Sequence, residues 1–244
     1  YLKKQLHEEL WYNIERTRRS SSRSFKYSDV NFIILQRLIE HLTKQPLEEY
    51  VTKEFYKPLQ LNSLVYNPLG KIDNKRIVPT EFDKKWRNQQ LKGQVQDETA
   101  AFLGGVAGHA GLFSSAEDLA TIGQMLLNGG EYGGTRLFKK ETIDFFTSTK
   151  HGNHRGLGFD VKTRKGGAGC YYGAGKGTFG HSGYTGTSLW VDPVNDLVYV
   201  FLSNRVNPSA ENWKIVRMDI RTNIQTKIYK AVRGARNYNF LVSI

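Results

Sequence analysis

Residues 181–205 read HSGYTGTSLWVDPVNDLVYVFLSNR, and their reading decides the fold class. Two apolar runs, Thr187 to Val191 and Leu197 to Leu202, flank Asp192-Pro193-Val194-Asn195-Asp196, a cluster of turn formers. The pattern predicts an antiparallel hairpin with a five-residue connection. Upstream, Leu157 to Val161 predicts another strand, followed over 164–180 by a loop rich in glycine and alanine. Downstream, Trp213, Val216, Ile220, Ile224, Ile228 and Val232 trace one stripe of a long C-terminal helix.

Earlier in the chain the apolar period is helical. Ser28 and Asp29 are helix-start residues, and Val30, Ile34, Leu38 and Leu42 follow at intervals of four, with Phe32, Ile33, Leu35 and Ile39 between them. That predicts a well-buried helix. Pro46 opens a second, shorter one through Leu47, Val51 and Phe55, ending near Pro58. Ser115 with Glu117 and Asp118 begins a helix through Leu119, Ile122, Met125 and Leu126 that Gly129-Gly130 closes, and a short helix is predicted over 140–148. Residues 60–110 are punctuated by breakers and read as long connections with one or two small strands. Residues 1–19 leave helix and irregular arm both open. Helices in the middle, an antiparallel meander late and a closing helix make the chain α+β, not a parallel βαβ array. Nothing reads as a linker, so 1–244 is expected to belong to one domain.

With 244 residues, 39% hydrophobic and 24% charged, the chain can bury a sizeable core, which excludes global disorder. Cys170 stands alone, which excludes an intrachain disulfide and a cysteine zinc cluster. No apolar run reaches the roughly 18 residues of a membrane span. A net charge of +12 raises nucleic acid as a partner. The one dense cluster, however, is Arg16, Arg18, Arg19, Arg23 and Lys26 threaded through Ser20, Ser21, Ser22 and Ser24, which reads as a solvated loop; no nucleic-acid signature accompanies it. The chain opens on Tyr1 and not Met, which reads as a processed product or an excerpt of something longer.

Two candidate chemistries fail on spacing. Gly175-Lys176 invites a phosphate loop, but Cys170 stands where the motif needs glycine and Gly177 where it needs the magnesium-binding hydroxyl. His151 and His154 sit three apart in a Gly/Asn loop without a carboxylate partner, and His7 and His41 form no constellation. No metal or cofactor is expected.

A third set is more informative, because three separated segments place polar groups at element boundaries. Tyr27-Ser28-Asp29 precedes the first strong helix, whose N-terminus favours developing negative charge. Gly104 to Gly111, GGVAGHAG, allows close backbone approach before a helix, and His181-Ser182-Gly183 leads into Tyr184-Thr185-Gly186-Thr187 and a strand.

Taken in order, these segments resemble the serine β-lactamase and penicillin-binding-protein family, in its class C-like hydrolase and esterase branch. Tyr27-Ser28-Asp29 resembles the family's Tyr-x-Asn element, with Asp in place of Asn. Asp97-Glu98-Thr99-Ala100, the Gly104 to Phe113 stretch and Ser115-Ala116-Glu117-Asp118-Leu119 resemble the approach to its middle helices, and His181-Ser182-Gly183 its third motif, often His-x-Gly in the esterase-like branch. The wording is most similar to lactamase-like domains of Bacteroidetes-type proteins that follow a family 3 glycoside hydrolase. The resemblance implies a β-lactamase/transpeptidase-like fold, an antiparallel sheet with helices on both sides, and acyl transfer through a serine ester. Carried onto this chain, Tyr27 is the acid/base and Asp29 its hydrogen-bonding or electrostatic partner. Ser28, His181, Ser182 and Gly183 bind substrate, and the backbone N–H of Tyr184 is one oxyanion donor. It also implies a cell-wall or small-molecule amide or ester substrate and an extracytoplasmic location.

The departure is the nucleophile. The family uses Ser-x-x-Lys, and no lysine here has a serine three residues earlier; Thr147-x-x-Lys150 is the nearest imitation. The chain is therefore expected to be the C-terminal part of such a domain, truncated at its front, inactive alone, with an exposed edge or face that a partner, a second fragment or a dimer would cover. The alternative is a natural degenerate kept as a non-catalytic module binding cell-wall glycan or peptide beside a glycoside hydrolase.

Overall fold

The computed structural model describes residues 4–18, 21, 25–149, 153–163 and 169–242. Arg19, Arg23, Ser20, Ser22 and Ser24 of the basic cluster, Lys150 and His151 lie outside them. The chain divides into two compact units, Tyr1–Ser114 and Ser115–Ile244. No helix among the described residues is long and apolar enough to cross a membrane.

In the first unit α1 (Lys4–Arg16) resolves the question left open for the N-terminal arm. Helix α2 (Val30–Thr43) starts where the Ser-Asp signal places it and ends at Lys44 in the left-handed region. Helix α3 (Leu47–Val51) follows Pro46 and runs on as a π turn, Thr52–Tyr56. The Glu40 carboxylate joins the two helices by accepting from the Leu47 N–H (3.2 Å) and the Gln36 side chain (3.1 Å). Leu47, Tyr66 and Val106 form the core beneath them with Ile39 and Val51.

Helix α2 is much less buried than its composition predicts. Only Ile33 and Gln36 are buried, while Ile34, Leu35 and Leu38 are about half exposed and Leu42 is 70% exposed. The spacing identifies the helix but not what covers each of its faces.

Residues 60–110 hold more order than expected. Strand β1 (Val65–Tyr66) pairs with β4 (Leu112–Phe113), β2 (Pro79–Asp83) pairs with β3 (Gln89–Lys92), and α4 (Glu98–Phe102) intervenes. Their stability comes from side chains that periodicity does not reveal. Asp83, buried, accepts from the N–H groups of Lys85, Trp86 and Arg87 and from Arg87 Nε at 2.7 Å; Arg87 in turn donates to the Val95 and Gln96 carbonyls. Burial works against the Asp83 carboxylate, but these donors, Arg87 first, hold its pKa down at about 2.

In the second unit α5 (Ala116–Leu127) begins as predicted, with the Ser115 hydroxyl accepting from the Asp118 N–H. The hairpin β5 (Glu131–Tyr132) and β6 (Thr135–Arg136) and helix α6 (Lys140–Thr147) follow. The main sheet has four antiparallel strands in the order β10-β9-β8-β7, from β7 (Asp160–Val161), β8 (Phe179–Ser182), β9 (Ser188–Asp192) and β10 (Leu197–Phe201). The hairpin connection is shorter by one than predicted, because Asp192 stays in β9 and pairs with Leu197.

Alternation along β9 and β10 sends side chains to opposite faces. Trp190 and Tyr199 lie on one face against Ile228. Leu189 and Val198 lie on the other, against Gly123 of α5, where an added methyl would come within 2.4 Å of Val198. The sheet thus carries helices on both sides. The long C-terminal helix predicted from Trp213 onward is two: α7 (Lys214–Arg217) and α8 (Ile220–Val242), separated at Asp219, whose φ is +48°. The residues turned inward are Ile215, Gln225 and Tyr229, whereas Val216 and Ile224 of the predicted stripe are exposed.

Candidate active site

The Tyr27-Ser28-Asp29 element enters α2. Tyr27 and Asp29 are exposed and Ser28 is half-buried. The Asp29 carbonyl accepts from the Phe32 and Ile33 N–H groups, but its carboxylate does not cap the helix, although Asp at this position ordinarily does. It points instead toward Asp97 and His109: one ligand-type atom from each of the three residues lies within 4.8 Å of the others.

Asp97 opens α4, accepting from the Ala100 N–H at 2.7 Å and from His109 Nε2 at 2.9 Å through the same oxygen. Burial pushes its carboxyl up, but the bonds from His109 and the Ala100 amide outweigh it and hold the pKa below the usual range. The His109 side chain is 4% exposed, and its other ring nitrogen, Nδ1, is buried without a partner among the described residues.

The glycine run around His109 has a specific use. Gly108 donates to Gln36 Oε1 at 3.0 Å, and its Cα packs against the Phe32 carbonyl so closely that a Cβ would lie 2.3 Å from that oxygen. The close backbone approach predicted there is an approach to α2.

His181 and Ser182 end β8, opposite Leu189 and Ser188 of β9. The His181 Nδ1–H donates to the Ser182 carbonyl at 2.8 Å, which leaves Nε2 as acceptor for Arg155, 3.3 Å away. Arg155 is fixed by Asp160 at 2.6 Å. The chain then turns: Gly183 donates to the Thr187 carbonyl at 2.8 Å and Gly186 to the Gly183 carbonyl at 3.1 Å. Tyr184 is exposed at the tip, and its N–H has no acceptor among the described residues.

Two arginines fasten the carbonyl side of this turn. Arg221 donates to the Gly183 and Thr187 carbonyls at 3.3 and 3.0 Å. Arg205, buried, donates from Nε to the Tyr184 carbonyl at 2.6 Å and from one terminal nitrogen to Ala210 and Asn212 carbonyls, with its guanidinium between the Tyr184 and Trp213 rings. Burial first, and Arg205 beside it second, lower the pKa of Arg221. The turn therefore combines an unused N–H with two nearby cations, an arrangement that favours negative charge.

Residues 3–220 match the family model described as Beta-lactamase. The chain belongs to the β-lactamase family. A protein of Escherichia coli K12 named as a candidate D-alanyl-D-alanine carboxypeptidase is 42% identical over 195 residues, which are 73% of this chain and 44% of that protein. A counterpart in Salmonella typhi is 39% identical over 78% of this chain and 47% of its own length. The chain thus spans less than half the length of the curated relatives it matches. Among solved structures, a β-lactamase of Mycobacterium bovis superposes with a TM-score of 0.55 at 18% identity, over 84% of this chain and 64% of that one. A penicillin-binding protein homologue of Caulobacter crescentus does so with the same TM-score and identity over 75% and 53%. Both likenesses concern the fold.

Within this β-lactamase-family chain, Tyr27, Ser28 and Asp29 come together at the entry to α2 in the first unit, and His181, Ser182, Gly183 and Tyr184 at the end of β8 in the second. Asp97 and His109 lie in stretches that resemble the family and Arg205 ends the 181–205 stretch, but none of the three has a role legible from its sequence position. Arg155 and Arg221 carry no motif or period, because Arg155 meets Asp160 and His181 only where the chain folds back and Arg221 binds backbone carbonyls of a distant turn. His154, expected to lack a carboxylate partner, lies 3.5 Å from Asp160.

Replacing Arg205 by Lys is expected to lower stability by about 2 kcal/mol, since a lysine can neither fork to three carbonyls nor stack between two rings. A denaturant midpoint unchanged from wild type contradicts this account of the turn.

Proposed function

We propose that this chain carries the tyrosine motif and the third-motif strand of a serine acyl hydrolase that acts outside the cytoplasm on a cell-wall peptide ending in D-alanyl-D-alanine, or on a related amide or ester. The observation that carries the reading is the turn at the end of β8, where the Tyr184 N–H has no acceptor among the described residues and Arg205 and Arg221 hold the neighbouring Tyr184 and Gly183 carbonyls. In this scheme Tyr27 moves the proton, Asp29 orients it, Ser28, His181, Ser182 and Gly183 hold the substrate, and Tyr184 N–H receives the oxyanion. The names of the enterobacterial relatives support the substrate class. None of the named relatives is a glycoside hydrolase, so the fusion partner rests on the sequence resemblance alone.

The nucleophile is proposed to come from a polypeptide segment other than these 244 residues, because they contain no Ser-x-x-Lys. The exposed Ile34, Leu35, Leu38 and Leu42 on α2 support the presence of a further covering element. The 244-residue chain is expected to show no stoichiometric mass shift with penicillin or a fluorophosphonate. Joined to the Ser-x-x-Lys region of the E. coli relative, it is expected to acquire both the adduct and D-alanine release, which Tyr27→Phe then lowers by about 10²-fold or more. A stoichiometric adduct on the chain alone, or a joined enzyme indifferent to Tyr27→Phe, overturns the proposal.

A further inference from the structure

We infer that Arg155, seated on Asp160, is a positioning residue that holds the His181 imidazole in one tautomer, able neither to give a proton to the substrate nor to take one from it. The inference rests on the acyl-transfer reading only for what the end of β8 does; the arrangement of the three side chains stands apart from it. Residues 154–161 make a tight turn, in which the Val161 N–H donates to the His154 carbonyl at 2.7 Å and the Gly156 N–H to the Phe159 carbonyl at 2.9 Å. Arg155 and Asp160 face each other across it, and their side chains form an ion pair at 2.6 Å with both groups mostly buried. Strand β7 then lays Asp160 beside Gly180 of β8, one residue before His181. Arg155 thus reaches His181 from a segment that is itself anchored. Gly156 fastens the turn to α6, since a Cβ there would lie 2.4 Å from the Phe146 carbonyl oxygen.

The partners of the two ring nitrogens leave no choice of tautomer. A carbonyl oxygen only accepts, so Nδ1, 2.8 Å from the Ser182 oxygen, carries the proton; a guanidinium only donates, so Nε2, 3.3 Å from Arg155 Nη1, carries the lone pair. One partner is the next residue of β8 and the other lies 26 residues upstream, so the two constraints are independent and agree. The single N–H is spent on a carbonyl, and the single lone pair is occupied. General acid or base catalysis needs one of them within reach of the substrate. In the acyl-transfer scheme the proton is therefore left to Tyr27, and His181 contributes a fixed ring edge. The Asp160 carboxylate, which also lies 3.5 Å from His154 Nε2, offsets the Arg155 charge, so the pair supplies orientation and little field. Arg205 and Arg221 supply the field from the other side of the turn.

The test is nitrogen NMR of the 244-residue chain labelled with 15N-histidine, with the His181 signals assigned by their loss in His181→Gln. In the wild-type chain at neutral pH, Nδ1 is expected at the protonated position and Nε2 at the unprotonated, hydrogen-bonded one. Arg155→Met is expected to shift the Nε2 resonance while Nδ1 stays, because the Ser182 carbonyl still holds that side. Arg155→Lys, which keeps a charged donor, should restore part of the wild-type Nε2 position. Lys53→Met, at an exposed pair with Glu54, should shift neither resonance. The wild-type spectrum and Arg155→Lys keep the inference testable if Arg155→Met does not fold. A protonated Nε2 in the wild-type chain, or an Nε2 resonance indifferent to Arg155→Met, overturns it. These spectra need no turnover, so they stand or fall separately from the acyl-transfer reading. In the joined enzyme described above, Arg155→Met is expected to lower kcat/KM by about tenfold or more and Arg155→Lys by less. An unchanged kcat/KM in a folded Arg155→Met enzyme whose Nε2 resonance has shifted overturns the positioning role.

Discussion

Asp192→Ala is expected to lower the stability of the second unit by about 3–5 kcal/mol, enough to unfold much of it under ambient conditions. The carboxylate is 1% exposed and pairs with no cation among the described residues; five hydrogen-bond donors satisfy it instead. Oδ1 accepts from the Val194 and Asn195 N–H groups, both at 3.0 Å. Oδ2 accepts from the Gly175 N–H and the Asn195 side chain at 2.7 Å and from the Tyr229 hydroxyl at 2.6 Å. One side chain thereby holds the β9–β10 connection, the glycine-rich loop and α8. Alanine would leave several buried donors without acceptors, each at about 1–3 kcal/mol. Tyr229→Phe, which removes one donor and leaves the carboxylate four, is expected to cost about 1.5–3 kcal/mol.

The same carboxylate makes the unit sensitive to acid. Burial raises the Asp192 pKa, but the Tyr229 hydroxyl, the Gly175 amide and Asn195 together outweigh it, and the net shift is downward. The folded state therefore binds this proton less readily than the unfolded chain does. Its contribution is present above the ordinary carboxylate pKa of about 3.9 and is lost as the pH falls through the lower folded value. Wild-type stability should decline over that window, and Asp192→Asn should flatten the decline. Hydrogen exchange of the β9 and β10 amides reports this unit specifically. A cost below about 1 kcal/mol for Asp192→Ala would show that the five bonds do not hold the unit together.

The contrast between what the sequence shows and what it hides has a physical basis. The β9–β10 hairpin and α5 were legible because each joins a repeating apolar pattern to a local stop signal, and both signals act between near neighbours. Asp192 shows the limit: as a residue it reads as a turn former, yet most of its consequence lies in Gly175 and Tyr229, which no period connects to it. Asp219 reads as one more polar residue on a helix, and nothing nearby announces a left-handed conformation that splits α7 from α8. The apolar faces of α2 led to an expectation of burial because composition reports what can be covered and not what does the covering. At the site, the Tyr27 and His181 segments were found through resemblance to family motifs. The Asp29, Asp97 and His109 grouping escaped because three single polar residues on separate elements have no spacing to detect.

Gly108→Val is expected to destabilise the first unit by about 3 kcal/mol, through overpacking against a backbone that cannot yield locally. A Cβ at Gly108 would lie 2.3 Å from the Phe32 carbonyl oxygen, 3.0 Å from its carbon and 3.4 Å from Gln36 Cβ. Gly108 is not among the glycines with positive φ, so side-chain sterics alone account for the effect. Relief requires α2 to move away, and that movement strains the two bonds by which Gln36 holds the loop, from the Gly108 N–H (3.0 Å) and to the Val106 carbonyl (3.2 Å). Gly108→Ala should give a smaller loss of the same sign. Gly234→Ala in α8, where nothing lies within 4 Å of the added methyl, should be neutral or gain up to about 1 kcal/mol from helix propensity. Because α2 begins at Tyr27-Ser28-Asp29, its displacement should also disturb the proposed proton carrier. In the joined enzyme described above, Gly108→Ala is expected to lower kcat by about 10²-fold for a misplacement of about 1 Å, even under conditions where the protein remains folded. Wild-type stability and wild-type kcat in Gly108→Ala together would mean that this contact neither docks the helix nor positions the site.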